Sequence, residues 1–168
     1  AQAFREFVEA PVHRVLDLVV SGLPSPMREA LETAEGLFGE IPKDSAPQGE
    51  AWPFYWGALY PKGGDIGEEV QLFVKLRPQG LVYGLGFGAR VKGRQEALSA
   101  GLRRLSVGEL AHLGHTLRAA GLHPQAAAAS DMGEEIGSLL EWIDVRAGGI
   151  RALLAAPELL ALSTEDVA

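Results

Sequence analysis

The sequence contains no cysteine, so disulfide bonds and cysteine-ligated zinc are both excluded. Such an absence suits a reducing compartment or a heat-adapted source and does not distinguish between them. No apolar run approaches the roughly 18 residues that a membrane-spanning helix requires. The first residues also show no basic segment followed by an apolar one. We therefore expect a cytoplasmic protein with no membrane partner.

The common catalytic motifs are missing as well. The sequence has no GxxxxGK[ST] loop for nucleotide hydrolysis, no G-x-S-x-G elbow and no H-E-x-x-H zinc motif. Gly84 to Ala89 match G-x-G-x-x-A, but they lie in a predicted hairpin strand and not in a strand-to-helix turn. Glu109, His112 and His115 have partial metal-ligand spacing, and no second motif supplies the remaining ligands. We therefore expect no catalytic residue, no metal site and no cofactor.

Positive charge is scarce overall, because 15 basic residues face 22 acidic ones and the net charge is −7. This balance argues against indiscriminate nucleic-acid binding. One stretch is different: between Lys75 and Arg104 the only acidic residue is Glu96. The basic residues of this stretch are Lys75, Arg77, Arg90, Lys92, Arg94, Arg103 and Arg104. They form either a local anion-binding surface or a solvated helix face.

Aromatic residues make up only 7% of the chain, and most of them fall between Trp52 and Gly88. The sharpest local signal in this stretch is Pro78-Gln79-Gly80, which lies between two apolar runs. Proline suits the start of a type I turn and glycine suits a left-handed bulge residue, so a three-residue β-hairpin is predicted. If Arg77 lies opposite Leu81, alternation assigns every side chain of the hairpin to one of two faces.

The two predicted faces differ in chemistry. The first mixes aromatic and basic side chains, and is either a second core layer or a surface for something flat and anionic. The second combines large aliphatic residues with glycines, onto which a helix could pack closely. The first face holds Gln71, Phe73, Lys75, Arg77, Leu81, Tyr83, Leu85 and Phe87. The second holds Val70, Leu72, Val74, Leu76, Val82, Gly84, Gly86 and Gly88.

Helical periodicity surrounds this β-rich centre. Apolar spacing predicts a helix over residues 3–20, kinked or restarted at Pro11. A second helix is predicted over 27–34 with Ser25 as N-cap and Pro26 at its first position. Two more are predicted over 93–105 and 107–120, the latter begun by a capping box of Ser106 and Glu109.

Strands are predicted over about 52–60 and 150–155, while residues 123–130 fit a helix or a loop. The sequence therefore predicts an α+β fold in a single domain over 1–168. Its small antiparallel sheet has at least three strands, with the hairpin of about 70–88 at the centre and the N-terminal and central helices packed on one face.

Ser163-Thr164-Glu165-Asp166 resembles a helix start with no helix after it, so we expect a longer parent chain.

Two runs carry a family resemblance. LFGEIPKDSAPQGEAWPFYWGALYPKGGDIGEEVQLFV and GLVYGLGFG resemble the N-terminal region of bacterial AAA-family ATPases related to the McrB-type subunit of modification-dependent restriction systems. The similarity covers about residues 4–88 and, more loosely, the tail that includes GIRALLAAPELLALS. The sequence departs from that family by lacking the ATPase module, which fits an N-terminal domain of a longer chain.

The resemblance implies a role and not a reaction. In such systems the N-terminal region is a specificity module that binds DNA, often at modified bases, while the AAA ATPase module hydrolyses nucleotide and a McrC-like nuclease partner cuts. Applied to this sequence, the hypothesis assigns DNA binding to the seven basic residues from Lys75 to Arg104. It assigns base stacking to Trp52, Tyr55, Trp56 and Tyr83. The alternative is a protein-interaction or sensing module of a defence ATPase, which the negative net charge favours.

Overall fold

The structure, a computed structural model, describes residues 2–39, 54–66, 68–86, 92–126, 135–143 and 148–158, with backbone alone at 92–95 and 148. The chain begins with α1 (Gln2–Phe4), a π-helical segment (Arg5–Glu9) and α2 (Ala10–Gly22). The π-helical segment lies in the turn before Pro11, and a proline ring disturbs the helical hydrogen bonds of its preceding turn. The predicted N-terminal helix is confirmed, and its irregular segment lies at Arg5–Glu9, before the predicted position at Pro11.

The second helix is shorter than predicted. α3 runs from Ser25 to Ala30, so Ser25 is helical and Pro24 occupies the N-cap position without a side-chain cap bond. The predicted end at Ala34 is wrong because the chain leaves the helix to pair with a distant segment. Leu31 forms an antiparallel bridge with Pro61, and the Glu32 amide donates to the Tyr60 carbonyl at 2.7 Å.

Five strands form one antiparallel sheet in the order β1-β2-β3-β5-β4. The strands are β1 (Tyr55–Leu59), β2 (Gln71–Arg77), β3 (Gly80–Gly86), β4 (His123–Ala126) and β5 (Gly148–Ala155). The remaining helices are α4 (Lys92–Leu102), α5 (Val107–Ala119) and α6 (Leu139–Ile143). The predicted α+β class is confirmed, and the hairpin strand β3 is the central strand of the sheet.

The hairpin loop differs from the prediction in one detail. β3 begins at Gly80, one residue earlier than predicted, so only Pro78 and Gln79 separate it from β2. Gly80 has a φ of 144°, on the side of conformational space that glycine occupies readily. The segment left undecided between helix and loop starts with β4, whose His123 pairs with Arg151 and whose Ala126 pairs with Gly148.

Contacts divide the described residues into two compact units. One is drawn from Ala1–Ile66, Phe73–Tyr83 and Leu153–Ala168, and the other from Gly67–Leu72 and Gly84–Ala152. The prediction of a single domain over 1–168 stays a prediction. Residues 163–166, on which the predicted continuation depends, lie outside the described residues.

In the first unit, α2 packs on β1. A Cβ atom at Gly57 would lie 2.7 Å from Leu16 Cδ1 and 2.7 Å from Phe38 Cδ1, so the glycine lets the helix approach the strand. The core of this unit is formed by Val12, Leu16, Leu37, Tyr55, Ala58, Leu59, Tyr60, Val74 and Val82, all of them buried. Full burial of each large apolar side chain contributes about 1.5–3 kcal/mol.

The second unit has its own core, centred on Leu139 and Trp142 of α6 and Ile150 of β5. Apolar residues of α4 and α5 pack around it. The predicted packing of the N-terminal and central helices on one and the same face of the sheet stays a prediction. The surrounding side chains are Val70, Leu85, Leu98, Leu102, Leu113, Leu117, Leu122 and Ile136. Leu85 thus belongs to a core, although counting along the hairpin assigns it to the aromatic and basic face.

The glycines of β3 serve a different contact from the one predicted. A Cβ atom at Gly84 would collide with the carbonyl oxygen of Ile150, and one at Gly80 with that of Leu154. Both carbonyls belong to the neighbouring strand β5, so these two glycines make room for strand backbone and not for a helix. Within the described part of the chain, no helix has the length and apolar character needed to cross a bilayer.

Candidate nucleic-acid interface

Two of the predicted DNA-binding residues, Lys75 and Arg77, lie on β2. Both side chains are half-buried, and alternation turns them away from Val74, which is 2% exposed. The Lys75 ammonium nitrogen lies 3.8 Å from the centroid of the Phe54 ring, within cation–π distance. The contact with the Phe54 ring therefore places the ammonium group of Lys75 on the face of the strand opposite Val74.

Tyr83 lies on β3, the strand next to β2, and is 37% exposed. It follows Val82, which is 2% exposed, so its side chain lies on the opposite side of the strand from that buried valine. On the neighbouring strand β5, Leu153 is 42% exposed. Gly84 lies against Arg151 and Gly80 against Ala155, so Leu153 is opposite Val82 and lies on the other face of the sheet from Tyr83.

Tyr55, predicted to stack on a base, is a core residue. It is 7% exposed, its ring meets Phe4 edge-on at 5.5 Å between centroids, and its hydroxyl lies 3.1 Å from His13 Nε2. Burial, and secondarily the Glu9 carboxylate, raises the pKa of Tyr55 above its ordinary value of 10.0. Because its ring is packed inside the first unit, Tyr55 offers no open face to a base in this structure.

The other two predicted stacking residues are tryptophans. Trp56 is half-buried, and its indole lies against Gly39, where a Cβ atom would collide with the ring. Gly39 is held there by its amide, which donates to the Trp56 carbonyl at 3.2 Å. Trp52 lies outside the described residues. Tyr83 is therefore the predicted stacking residue with the greatest described exposure.

The remaining predicted DNA-binding residues belong to the second unit. Arg103 and Arg104 are exposed in the turn between α4 and α5. The structure shows the backbone of Lys92 and Arg94 in α4 without their side chains, and Arg90 lies outside the described residues. The structure thus brings Lys75 and Arg77 together on one strand and Arg103 and Arg104 together in one turn.

The residues with metal-like spacing have structural roles or are exposed. Glu109 accepts hydrogen bonds from the Ser106 amide and hydroxyl, both at 2.7 Å, and completes the capping box of α5. The Ser106 hydroxyl, followed by its amide, lowers the pKa of Glu109 from 4.5. His112 and His115 are exposed on the same helix. Among the residues that the structure describes, no group of three or more His, Cys, Asp or Glu side chains could hold a metal ion.

Sequence reasoning missed His13, which connects α2 with β1. Its ring stacks on Phe38 at 3.6 Å between centroids, and its Nε2 atom lies 3.1 Å from the Tyr55 hydroxyl. The sequence signal for this role was the position of His13 three residues before Leu16, which places it beside the apolar stripe of the N-terminal helix. Sequence reasoning also missed the exposure of Phe7 and Leu18, which are 69% and 65% exposed. Both belong to the N-terminal helix, which was predicted to pack on the sheet.

The chain matches no protein-family model, and comparisons with curated proteins and with solved structures give no match. A functional proposal therefore depends on the described side chains and on the motifs of the sequence.

Proposed function

We propose that this chain is a non-catalytic DNA-binding specificity module of a McrB-like restriction or defence ATPase. The observation that carries the proposal is Tyr83, an exposed aromatic residue on the central strand of the sheet, beside a strand that carries Lys75 and Arg77. An aromatic ring can stack on a base, and cations can bind phosphates. The quoted sequence runs, which resemble the N-terminal region of such ATPases, support the same role.

The proposed division of labour separates affinity from specificity. The basic residues between Lys75 and Arg104 hold phosphates, which position the duplex without reading its sequence. Tyr83, with Trp56 and Trp52 as further candidates, contacts an unstacked or modified base. In the full system an AAA ATPase module on the same chain hydrolyses nucleotide and a McrC-like nuclease subunit cuts. Such a module acts in the cytoplasm, where it meets incoming DNA.

The test is binding of the chain to matched duplexes that are unmodified, methylated or hydroxymethylated, at about 50 and 200 mM salt, where phosphate-dominated binding weakens strongly. We expect binding at the lower salt and a preference for one modified duplex. The variant Arg90→Glu with Arg94→Glu should lose binding and keep its circular dichroism spectrum. The matched control reverses two exposed arginines of the N-terminal helix, Arg5→Glu with Arg14→Glu. Equal affinity of both double variants for the duplex contradicts the proposed interface.

A protein-interaction or sensing module is the second candidate, favoured by a separate observation. The N-terminal helix exposes Phe7, Leu18 and Val19, at 69%, 65% and 40%. Exposed apolar side chains on one element are typical of protein interfaces, and a net charge of −7 repels DNA. An apolar interface changes little with salt. The test is binding of the chain to a purified McrC-like subunit. This function is supported over the first if that binding is insensitive to salt and is lost in Phe7→Ser with Leu18→Ser, while the chain binds no DNA.

A further inference from the structure

The helices α4 and α5 of the second unit differ from the rest of the chain in charge. Residues 92–118 contain five basic and two acidic residues, a local charge of +3, whereas the whole chain carries −7. Only four residues, from Arg103 to Ser106, connect the two helices. Two helices joined by a turn of this length are typical of helix-turn-helix DNA-binding proteins, in which the second helix contacts the bases.

One side of α5 is fixed to the core of the second unit. Leu110 is 4% exposed, and Leu113 and Leu117 pack against the buried cluster formed by α6 and β5. Apolar residues of α4 pack against the same cluster. The shared core therefore holds both helices in place, and a ligand can meet α5 only on its opposite side.

The opposite side of α5 carries small and hydrogen-bonding residues. Gly108, Ala111, His112 and His115 are all exposed, and helical spacing places them away from Leu110. Gly108 and Ala111 allow another surface to approach the helix closely, because neither has a long side chain. The imidazole N–H groups of His112 and His115 can donate to the N7 and O6 acceptors of guanine.

The beginning of α5 is suited to an anion. Glu109, the one acidic residue of the helix, is engaged in the capping box, where it accepts hydrogen bonds from the amide and hydroxyl of Ser106. Arg103 and Arg104 are exposed in the turn directly before the helix. The positive end of the helix dipole lies at the same place. Phosphates beside the first turns of α5 would therefore meet two cations and a favourable dipole.

The dimensions of α5 match one groove of duplex DNA. Its 13 residues give a length of about 20 Å at the usual helical rise. A helix with its side chains is about 10–12 Å across, and the major groove is about 12 Å wide. In helix-turn-helix proteins the N-terminal residues of the second helix contact base edges. Gly108, Ala111 and His112 occupy the corresponding turns of α5.

We infer that α5 is a recognition helix that lies in the major groove of duplex DNA. This inference rests on the proposed DNA-binding function and names the element that reads an intact duplex. His112 and His115 contact base edges, while Arg103 and Arg104 bind phosphates at the rim of the groove.

Groove-specific competitors test this docking mode. We would measure fluorescence anisotropy of the full chain with a labelled duplex of about 20 base pairs, two helical turns, at about 50 mM salt. The competitors are methyl green, which occupies the major groove, and netropsin, which occupies the minor groove. We expect methyl green to displace the chain and netropsin to leave it bound. A single strand of the same length should bind more weakly, because it has no major groove.

Two variants place the duplex on α5. Ala111→Glu puts a carboxylate on the outer side of the helix, and we expect it to weaken duplex binding by about 10-fold or more, because the like charge of DNA repels it. His112→Ala with His115→Ala removes the two donors and should also weaken binding. Ala10→Glu is the matched control, because it adds the same charge at an exposed alanine of the N-terminal helix. Circular dichroism checks that each variant is folded.

The possible results separate the inference from the function on which it depends. Duplex binding that netropsin prevents and methyl green does not would overturn the inference and leave DNA binding in place. The same conclusion follows if Ala111→Glu weakens binding no more than Ala10→Glu, or if the single strand binds more tightly than the duplex. Absence of binding to both probes overturns the inference together with the proposed function.

Discussion

Two tyrosines of the same sheet illustrate how one residue type takes different roles. Tyr55 of β1 is 7% exposed and Tyr83 of β3 is 37% exposed. Tyr55 is stabilised in place by Phe4, Phe38 and His13, whereas Tyr83 retains accessible ring surface. Strand alternation alone does not predict this difference in exposure, because each face of a strand can be covered by a helix or left open. The contacts of each ring decide whether it belongs to the core or to the candidate interface.

The hydroxyl of Tyr55 provides the first prediction. In Tyr55→Phe the hydrogen bond to His13 is lost, and we expect the free energy of unfolding to fall by about 1 kcal/mol, the usual net contribution of such a bond. Urea denaturation followed by circular dichroism measures this change. Tyr83→Phe is the control and should alter stability by less than about 0.5 kcal/mol, as surface substitutions commonly do. Equal effects of the two substitutions would show that the His13 contact contributes nothing.

Gly84 provides the second prediction at this scale. Its φ is 147°, and a Cβ atom there would collide with the Ile150 carbonyl oxygen. Gly84→Ala combines backbone strain with a clash against neighbouring strand backbone, so we expect a loss of about 3 kcal/mol or more. Gly63→Ala is the matched control, because Gly63 also has a positive φ, of 75°, but has nothing within 4 Å of the added atom. It should cost only about 1–2 kcal/mol.

Thermal and urea unfolding of both glycine variants check this difference. A Gly84→Ala protein that is as stable as Gly63→Ala would mean that β3 and β5 can separate without penalty, contrary to the close approach of their backbones.

At the scale of single elements, features specified by neighbouring residues could be predicted from sequence. The capping box of α5 needs only Ser106 and Glu109, and both of its hydrogen bonds are present. The hairpin needs only its turn and two apolar runs, and β2 and β3 are neighbours in the sheet. Each depends on contacts within a few residues, so the chain's own local preferences suffice to specify it.

Elements specified by distant partners could not be predicted in the same way. β4 is a strand because His123 to Ala126 pair with β5, more than twenty residues later. α3 ends at Ala30 and not at Ala34 because Leu31 pairs with Pro61. In both cases tertiary pairing overrides local propensity. The candidate site shares this limit: the residue types were visible in sequence, but the burial of Tyr55 and the exposure of Tyr83 were not.

The capping box also predicts a pH dependence of stability. The pKa of Glu109 is lowered from 4.5 in the folded state, chiefly by the Ser106 hydroxyl. Its ionised form therefore favours folding, and this contribution is complete above pH 4.5 and disappears as the pH falls through the lower, folded-state pKa. In Glu109→Gln the contribution is absent at every pH. We expect the stability difference between wild type and variant to be largest near neutral pH and to shrink below about pH 4.5.

Urea denaturation at several pH values between about 7 and 3 measures this difference. In a Ser106→Ala background the same Glu109→Gln substitution should have a smaller effect, because the largest cause of the lowered pKa has been removed. A difference that stays constant with pH in both backgrounds would contradict the role of the Glu109 charge.

At the scale of the whole molecule, electrostatics decide which ligands are compatible with the chain. A net charge of −7 repels polyanions at long range, so DNA binding requires local positive charge close to the ligand. Lys75 and Arg77 provide this on β2, and Arg103 and Arg104 provide it in the turn before α5. Salt dependence distinguishes which of these groups contact phosphates, because each contact adds a fixed increment to the slope.

The exposed pair Arg103 and Arg104 therefore carries the last prediction. If both arginines contact duplex phosphates, Arg103→Ala with Arg104→Ala should make the slope of log affinity against log salt shallower by about 1.8. The affinity should weaken to a similar degree for every duplex, modified or not, because phosphate contacts carry no sequence information. Arg5→Ala with Arg14→Ala, which removes the same charge from the N-terminal helix, should leave the slope unchanged. Identical slopes for the two double variants would remove the α4–α5 turn from the interface and leave phosphate binding to the remaining basic residues.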